Sequence, residues 1–477
     1  MNRPLRKVAI AALVMFAALL INANVVQVVE ATSLKNNQHN VRLLYSEYSH
    51  QRGPIVVGRT AIARSVATHD ALKYLRVYPE GPLYAPVTGY YSLTYSYSGI
   101  EQEENSILAG TSDKLFVKRL SDVFTGRQPQ GGAVELTINA QLQQAAYTAL
   151  AGRRGAVVAL DPRTGAILAL VSSPSYDPSR ISTHNQATNT AAWNFYLHNP
   201  DAPMLDRAIS QTYPPGSTFK VITTAAALSS GRYTPSTLIP APNSLSFNDS
   251  NRKLHNFQGE TCAGGGRMTL ADALRVSCNT AYGDLGIALG SNALLQQAQA
   301  FGLGRSLSIP LPVVSSRFVA EHGQALTADS AIGQASDAVT PLQMAMVAAG
   351  VANGGVVMRP YLVSQERAPD SSVIAQAQPQ ELGRAISPAV AAQLTSMMQR
   401  VVTSGTGTAA QVPGVSVAGK TGTAENVPGR PTHAWFICFA PAQDPQVAIA
   451  VIVENGGIGG STAAPIARQV LRAALGR

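Results

Sequence analysis

Ser217 and Lys220 stand three residues apart in Tyr213-Pro-Pro-Gly-Ser-Thr-Phe-Lys220, at the head of the apolar run Phe219 to Leu228. On a helix, residues i and i+3 share a face, so a hydroxyl and an amine at this spacing lie side by side. The pattern reads as a helix with Ser217 at its N-cap and Gly231 just past its end, which puts the hydroxyl at the positive end of the helix dipole. A serine is a poor nucleophile until a base takes its proton. A lysine can be that base only where burial or another cation lowers its pKa. Val221, Ile222 and Ala225 to Ala227 predict such burial.

The tetrad alone carries little weight, because Ser250-Asn-Arg-Lys253 has the same spacing. That copy lies in the polar run Asn248-Asp249-Ser250-Asn251 and reads as an exposed loop. Two further groups follow the first copy in order: Ser277-Cys-Asn279 and Lys420-Thr-Gly-Thr423. Ser246-Phe-Asn248 also fits Ser-x-Asn, whereas Lys-Thr-Gly occurs once. The ordered set of three is therefore the informative feature.

The chain has 477 residues, 45% hydrophobic and 13% charged, which suits a globular protein of two or three domains. Its net charge of +9 is spread out. No dense Lys/Arg block with interleaved aromatics points to nucleic acid, while a basic exported protein would suit anionic lipids or wall polymers. Three cysteines argue against a disulfide scaffold. Without His-Glu-x-x-His, paired Cys-x-x-Cys or a P-loop, no metal, nucleotide or other cofactor is implied.

Arg3, Arg6 and Lys7 precede a run without polar side chains from Val8 to Ile21, which continues less cleanly to Val29. As a helix, residues 8–29 span about 33 Å, enough for a hydrocarbon core of roughly 30 Å. Ile21 before Ala23 makes a poor leader-cleavage site, so the expectation is a retained anchor over residues 1–29. The basic flank places the N-terminus inside and the body outside the membrane.

Residues 30–154 read as a mixed α/β, non-catalytic module. Gln51-Arg-Gly-Pro-Ile55 is a turn into a strand, and Tyr90 to Tyr97 alternates as a half-exposed strand. Glu101, Glu103 and Glu104 read as a solvated face. From there strands are predicted at Ala133 to Ile138, Gly155 to Asp161 and Ala166 to Ser172, with a helix at Gln141 to Leu150. Residues 217 to about 400 read as mostly helical. Strands return at Val415 to Thr423, Ala434 to Ala440 and Val447 to Glu454, before a last helix starting at Pro465 as its N1 residue. Two strands, a helical block, three strands and a helix make an α+β fold: one five-stranded antiparallel sheet with flanking helices and an inserted helical lobe.

With the three motifs placed, residues 155–477 resemble the transpeptidase (β-lactamase-like) domain of penicillin-binding proteins. Gly155-Ala-Val-Val-Ala-Leu-Asp161, Ile332-Gly-Gln334 with Thr340-Pro-Leu-Gln343, and His433-Ala-Trp-Phe436 add to the likeness. Arg52-Gly-x-Ile55 and Tyr84-Ala-Pro-Val-Thr-Gly-Tyr-Tyr91 resemble the monofunctional class B members, whose N-terminal module is a pedestal or dimerisation domain. The resemblance implies D-alanyl-D-alanine transpeptidation on peptidoglycan stem peptides, with β-lactam antibiotics acylating the same serine. It makes Ser217 the nucleophile, Lys220 the general base and Ser277 the proton relay. Asn279 would hold Lys220 and the substrate amide. Lys420, Thr421 and Thr423 would bind the substrate carboxylate, and Gly422 would clear room for substrate along the strand. The backbone amides of Ser217 and Thr423 would form the oxyanion hole. It further implies partners in the cytoplasmic membrane and among division or wall-synthesis proteins. Cys278 replaces the usual Asp of the second motif. Cys262 and Cys278 are either two free thiols or, in an oxidising compartment, a bridge beside the site, which the resemblance favours. Cys438, in an apolar strand, reads as core.

A β-lactamase would need a deacylating Glu with Asn four residues on. Glu321, Glu366 and Glu381 are followed at that spacing by Ala325, Asp370 and Ala385. A D,D-carboxypeptidase differs only in using water as acceptor, and the long N-terminal module favours the transpeptidase. A non-catalytic division scaffold is the alternative from another class, and the intact set of motifs argues against it. His433 reads as the first residue of a strand rather than as a triad base.

Overall fold

The computed structural model describes residues 3–30, 48–115, 130–262, 264–427 and 429–477. Of the N-terminal module, residues 31–47 and 116–129 lie outside the described residues. Helix α1 (Arg3–Asn24) runs on into a π-helical stretch, Val25–Val29. Pro4–Val29 is apolar and long enough to cross a membrane, and it packs against nothing else in the described chain.

The N-terminal module is built on strands β1 (Ile55–Val57), β2 (Thr60–Ala67), β3 (Tyr74–Val77) and β4 (Ala133–Leu136). After helix α2 (Ala140–Leu150) come β5 (Gly155–Leu160) and β6 (Ile167–Ser173). The central block contributes α3 (Lys220–Ser229), α4 (Leu270–Val276), α5 (Asn279–Leu289), α6 (Pro341–Ala352), the hairpin β7 (Val363–Arg367) and β8 (Val373–Gln376), and α7 (Pro388–Ser404). The chain closes with β9 (Ala418–Ala424), β10 (His433–Ala440), β11 (Val447–Val453) and α8 (Gly459–Ala474).

The expected five-stranded antiparallel sheet is present, in the order β9-β10-β11-β5-β6. Every residue of β5, β10 and β11 is buried, because both faces are covered. Val158, Trp435, Ile437 and Ala450 face the core shared with the helical lobe. Val157, Phe436, Cys438 and Ile449 face the core closed by α2 and α8. Continuous apolar runs therefore replace alternation in these strands.

The module's sheet has the order β8-β7-β4-β1-β2-β3. The two strands at one edge, β8 and β7, come from the central block: β7 pairs antiparallel with β4 across more than two hundred residues of sequence. A hairpin of the C-terminal segment thus completes the N-terminal sheet. The central block is correspondingly less helical than expected. It also carries short strand pairs such as Ser244–Ser246 with Lys253–His255.

Three further expectations are corrected. Tyr90 to Tyr97 is not one strand but a tight hairpin, Tyr91–Ser92 against Ser96–Tyr97, because Ser96 takes φ +61° and turns the chain back. The last helix starts at Gly459, six residues before Pro465, which lies inside it. The acidic cluster is not a solvated face. Glu103 is exposed, Glu104 is half-buried, and Glu101 is wholly buried. Glu101 accepts from Arg52 Nε and Arg76 Nε at 2.6 Å each and from the Tyr78 hydroxyl at 3.1 Å. Burial pushes this carboxyl up, but Arg76 and Arg52 together outweigh it and hold it below the usual carboxylate range. Partners separated along the chain by 25 and 49 residues left no local signal of this.

Candidate active site

The approach to Ser217 is fixed by backbone contacts from three directions. Tyr213 and Val339 exchange N–H···O bonds of 2.9 Å in each direction. Gly216 N donates to Gly333 O at 2.8 Å. Trp435 Nε1 donates to Pro214 O at 3.0 Å, and Thr218 Oγ1 to Pro215 O at 2.6 Å. The Tyr213 hydroxyl donates to Glu454 Oε1 at 2.8 Å, and the buried Arg207 donates to the same oxygen at 2.8 Å. Gly216 takes φ +52°, and a Cβ there would sit 2.9 Å from Thr423 O. Glycine allows this close approach of turn to strand.

Ser217 does not cap a helix. It lies inside a 3₁₀ turn, Gly216–Phe219, whose N-cap is Pro215, and the α-helix proper begins at Lys220. Pro215, with φ −70°, already has helical backbone, so the extended conformation a capping serine needs is not available. The side-by-side placement of Ser217 and Lys220 follows all the more directly, since i and i+3 eclipse in a 3₁₀ turn. Gly231, at φ +70°, follows the helix end as expected.

Lys220 is wholly buried. Its Nζ donates to Ser277 O and Asn279 Oδ1, each at 2.7 Å, and to Ser277 Oγ at 3.3 Å. The Tyr282 ring lies 5.4 Å from it. Ser277 ends α4 in the left-handed region, at φ +62°, and Asn279 opens α5. The sharp reversal between the two helices turns Ser277 Oγ, Ser277 O and Asn279 toward the same amine. Asn279 Nδ2 donates to His255 O at 3.3 Å, tying in the hairpin that carries His255.

From the other side, β9 supplies Lys420, also wholly buried. Its Nζ donates to Ser277 Oγ at 2.8 Å and to Thr421 O at 2.8 Å. Two amines thus converge on one hydroxyl. Among the described residues neither amine pairs with a carboxylate. Burial, then the nearby Lys420 charge, holds Lys220 well below the ordinary lysine value. Burial brings Lys420 down to about 7. Two buried amines of lowered basicity, one of them three residues after Ser217, make a combination suited to acyl transfer to serine.

Thr421 is buried, and Thr423 Oγ1 accepts from Gly459 N at 3.4 Å. A Cβ at Gly422 would meet Thr218 Cγ2 and Trp435 Cβ at 2.8 Å each, so this glycine admits the serine turn against the strand. Cys262 and Cys278 are bridged, with Cα atoms 5.8 Å apart. Cys438 is buried in the core. The second Ser-x-x-Lys runs from half-buried Ser250 into the short strand that exposed Lys253 opens. Among the described residues no group of three or more His, Cys, Asp or Glu side chains is placed to hold a metal ion.

Two features were missed in the sequence. In the Tyr213–Glu454–Arg207 network, Glu454 lies 241 and 247 residues from its two partners and left no pattern. Thr406, whose Oγ1 lies 2.6 Å from Thr421 Oγ1, stands in Gly405-Thr-Gly407, a glycine-flanked hydroxyl after a helix that could have been flagged.

Comparison with known proteins gives a consistent result. The profile described as penicillin binding protein transpeptidase domain matches residues 155–472, and that of the penicillin binding protein A dimerisation domain matches residues 52–134. The chain is 48% identical to peptidoglycan D,D-transpeptidase PbpA of Mycolicibacterium smegmatis, over 100% of this chain and 99% of the relative. It is 46% identical to the PbpA of Mycobacterium tuberculosis, with the same coverage. The solved structure of M. tuberculosis penicillin-binding protein A as a ceftriaxone acyl-enzyme superposes with a TM-score of 0.88 at 46% identity, covering 90% of this chain and 100% of that one.

Proposed function

This chain belongs to the penicillin-binding protein transpeptidase family, and from that premise we propose how its residues divide the work. The protein is a peptidoglycan D,D-transpeptidase acting through an acyl-enzyme, and β-lactams acylate it. Ser217 Oγ attacks the penultimate D-Ala carbonyl as neutral Lys220 takes its proton. The tetrahedral oxyanion rests on the amides of Ser217 and Thr423. The intermediate collapses with loss of the terminal D-Ala, whose leaving nitrogen receives a proton through Ser277. An amine of a second stem peptide then attacks the ester, the proton path runs in reverse, and Ser217 is regenerated. Asn279 fixes Lys220, and Lys420 with Thr421 and Thr423 holds the terminal carboxylate of the donor.

The observation that carries this reading is the pair of buried lysines meeting at Ser277 with no carboxylate between them. Ionising both would place two cations in a desolvated site, so one amine is free to act as base. The N-terminal module serves as a non-catalytic pedestal, coupled to the catalytic part through the shared sheet. The apolar first helix fits a single-pass anchor, and Arg6 and Lys7 support a cytoplasmic N-terminus with catalysis outside. We assign the protein to septal wall synthesis. A depletion strain with normal septa would remove that assignment.

The test is intact-mass spectrometry of the full chain in detergent after exposure to penicillin, with Ser217→Ala alongside. A stable adduct of one drug on the wild type, absent from the variant, is expected. Rapid drug loss without an adduct would mean a β-lactamase, and neither adduct nor loss would favour a scaffold.

A further inference from the structure

We propose that Thr406 is a positioning residue for the substrate carboxylate, acting through Thr421. This rests on the assignment of Thr421 to carboxylate binding made above. Thr406 Oγ1 and Thr421 Oγ1 are 2.6 Å apart, a short hydroxyl–hydroxyl hydrogen bond. Lys420 Nζ, a donor only, lies 3.5 Å from Thr421 Oγ1. A hydroxyl has one proton and two acceptor positions. Either hydroxyl of the pair can donate; with Lys420 Nζ already donating to Thr421 Oγ1, Thr406 is taken as the second donor, which leaves the proton of Thr421 for an incoming anion. Thr406 thereby locks a rotor that would otherwise be free, and a chain of two hydroxyls polarises the bond to the carboxylate.

The backbone around Thr406 is built to hold it there. A Cβ at Gly405 would lie 2.9 Å from Arg275 Cγ and 2.9 Å from Val401 O, and one at Gly407 would lie 3.2 Å from Phe436 Cε2. Both neighbours are tucked against α7 and β10, while Thr406 itself remains exposed. Thr406 N donates to Arg275 O at 3.3 Å, fastening the turn to the end of α4, two residues before Ser277, which makes the reversal. An exposed side chain on a pinned turn, bonded to a buried hydroxyl of the substrate strand, has little part in the core. Its removal is expected to be felt in recognition rather than folding.

The experiment uses the full chain in detergent and measures second-order acylation by benzylpenicillin and by its methyl ester, which lacks the anion. Thr406→Val is expected to slow acylation by the acid about fivefold to tenfold, the size of one neutral hydrogen bond, and to leave the ester unchanged. Thr406→Ser, which keeps the hydroxyl, restores the acid rate. In a Thr421→Val background, Thr406→Val adds no further loss. Equal losses on acid and ester, or no rescue by serine, would mean that Thr406 only supports the turn and would overturn the proposal. If Thr421→Val itself fails to separate acid from ester, the carboxylate assignment of Thr421 falls, and the proposal with it. If Thr421→Val separates them and Thr406→Val does not, only the role of Thr406 falls.

Discussion

Two regions of this molecule bury charge completely, and they do it in opposite ways. In the N-terminal module, Glu101 lies between Arg52 and Arg76 and accepts from Tyr78. Its attraction to two guanidiniums outweighs the cost of desolvation, so it stays ionised and ties β3 to the module's helical turns. At the candidate active site, Lys220 and Lys420 are equally inaccessible, but among the described residues their hydrogen-bond partners are hydroxyl, amide and carbonyl oxygens. With nothing to offset desolvation, their pKa values fall. The first arrangement holds a fold together. The second leaves two amines of lowered basicity, the arrangement proposed above for acyl transfer. Burial alone therefore says little about the role of a charged side chain, and the sign of its neighbours decides it.

The contrast is broken most severely by Lys220→Met, which keeps a long apolar stem and removes the amine. Penicillin acylation, followed by mass spectrometry, should fall by about a thousandfold, within the range of a lost general base. The thermal midpoint should hold or rise, because a buried amine without a counter-charge is gone. Glu101→Gln should do the reverse. It leaves two buried guanidiniums short of a counter-charge and should cost about 3–5 kcal/mol in chemical denaturation. Acylation per folded molecule should stay near wild type, because no residue of the site is touched.

The pH dependence sharpens the same comparison. Acylation should rise with pH as Lys220 loses its proton and decline above about 7 as Lys420 loses the charge that holds the carboxylate. The apparent values belong to the pair, since the two amines interact. For stability both contributions rise with pH, but in different windows. From about pH 7 up to the free-lysine value of about 10.4, the unfolded chain binds protons that the folded site does not, so the lysine contribution rises with pH. The Glu101 contribution is fully present above the ordinary carboxylate value and is lost as pH falls through its lowered one. Thermal midpoints across pH for wild type, Lys220→Met and Glu101→Gln would separate the two slopes. The smallest effect is expected from Trp435→Phe. It deletes the Nε1 bond to Pro214 O and should slow acylation about fivefold, the usual worth of one neutral hydrogen bond. A rate unchanged from wild type would mean that the backbone contacts of Tyr213 and Gly216 hold the serine turn without help.

The three motifs, the strands of the catalytic sheet and the apolar first helix were legible in the chain because each is a local pattern. Spacing, apolar runs and turn residues survive in one dimension. The N-cap reading of Ser217 failed for a local reason as well, since Pro215 had already committed the backbone to a helical turn. Other features had no local trace. The β7–β8 hairpin joins the module's sheet from more than two hundred residues away, and the buried state of Glu101 depends on arginines brought in by β3 and by the segment before β1.

The sequence by itself determined which side chains could react, since hydroxyls, amines and an amide at those spacings are written into it. It contained two copies of Ser-x-x-Lys and did not distinguish them by type. Their flanking residues pointed to the first copy, and tertiary structure supplied the enclosure that lowers the pKa of its lysine. Lys220 is enclosed by α5, Ser277 and Lys420, whereas Lys253 is left in water on a hairpin. The physical reason is that a lysine's basicity is set by the solvent and charges around it, and those are supplied by residues remote in the chain.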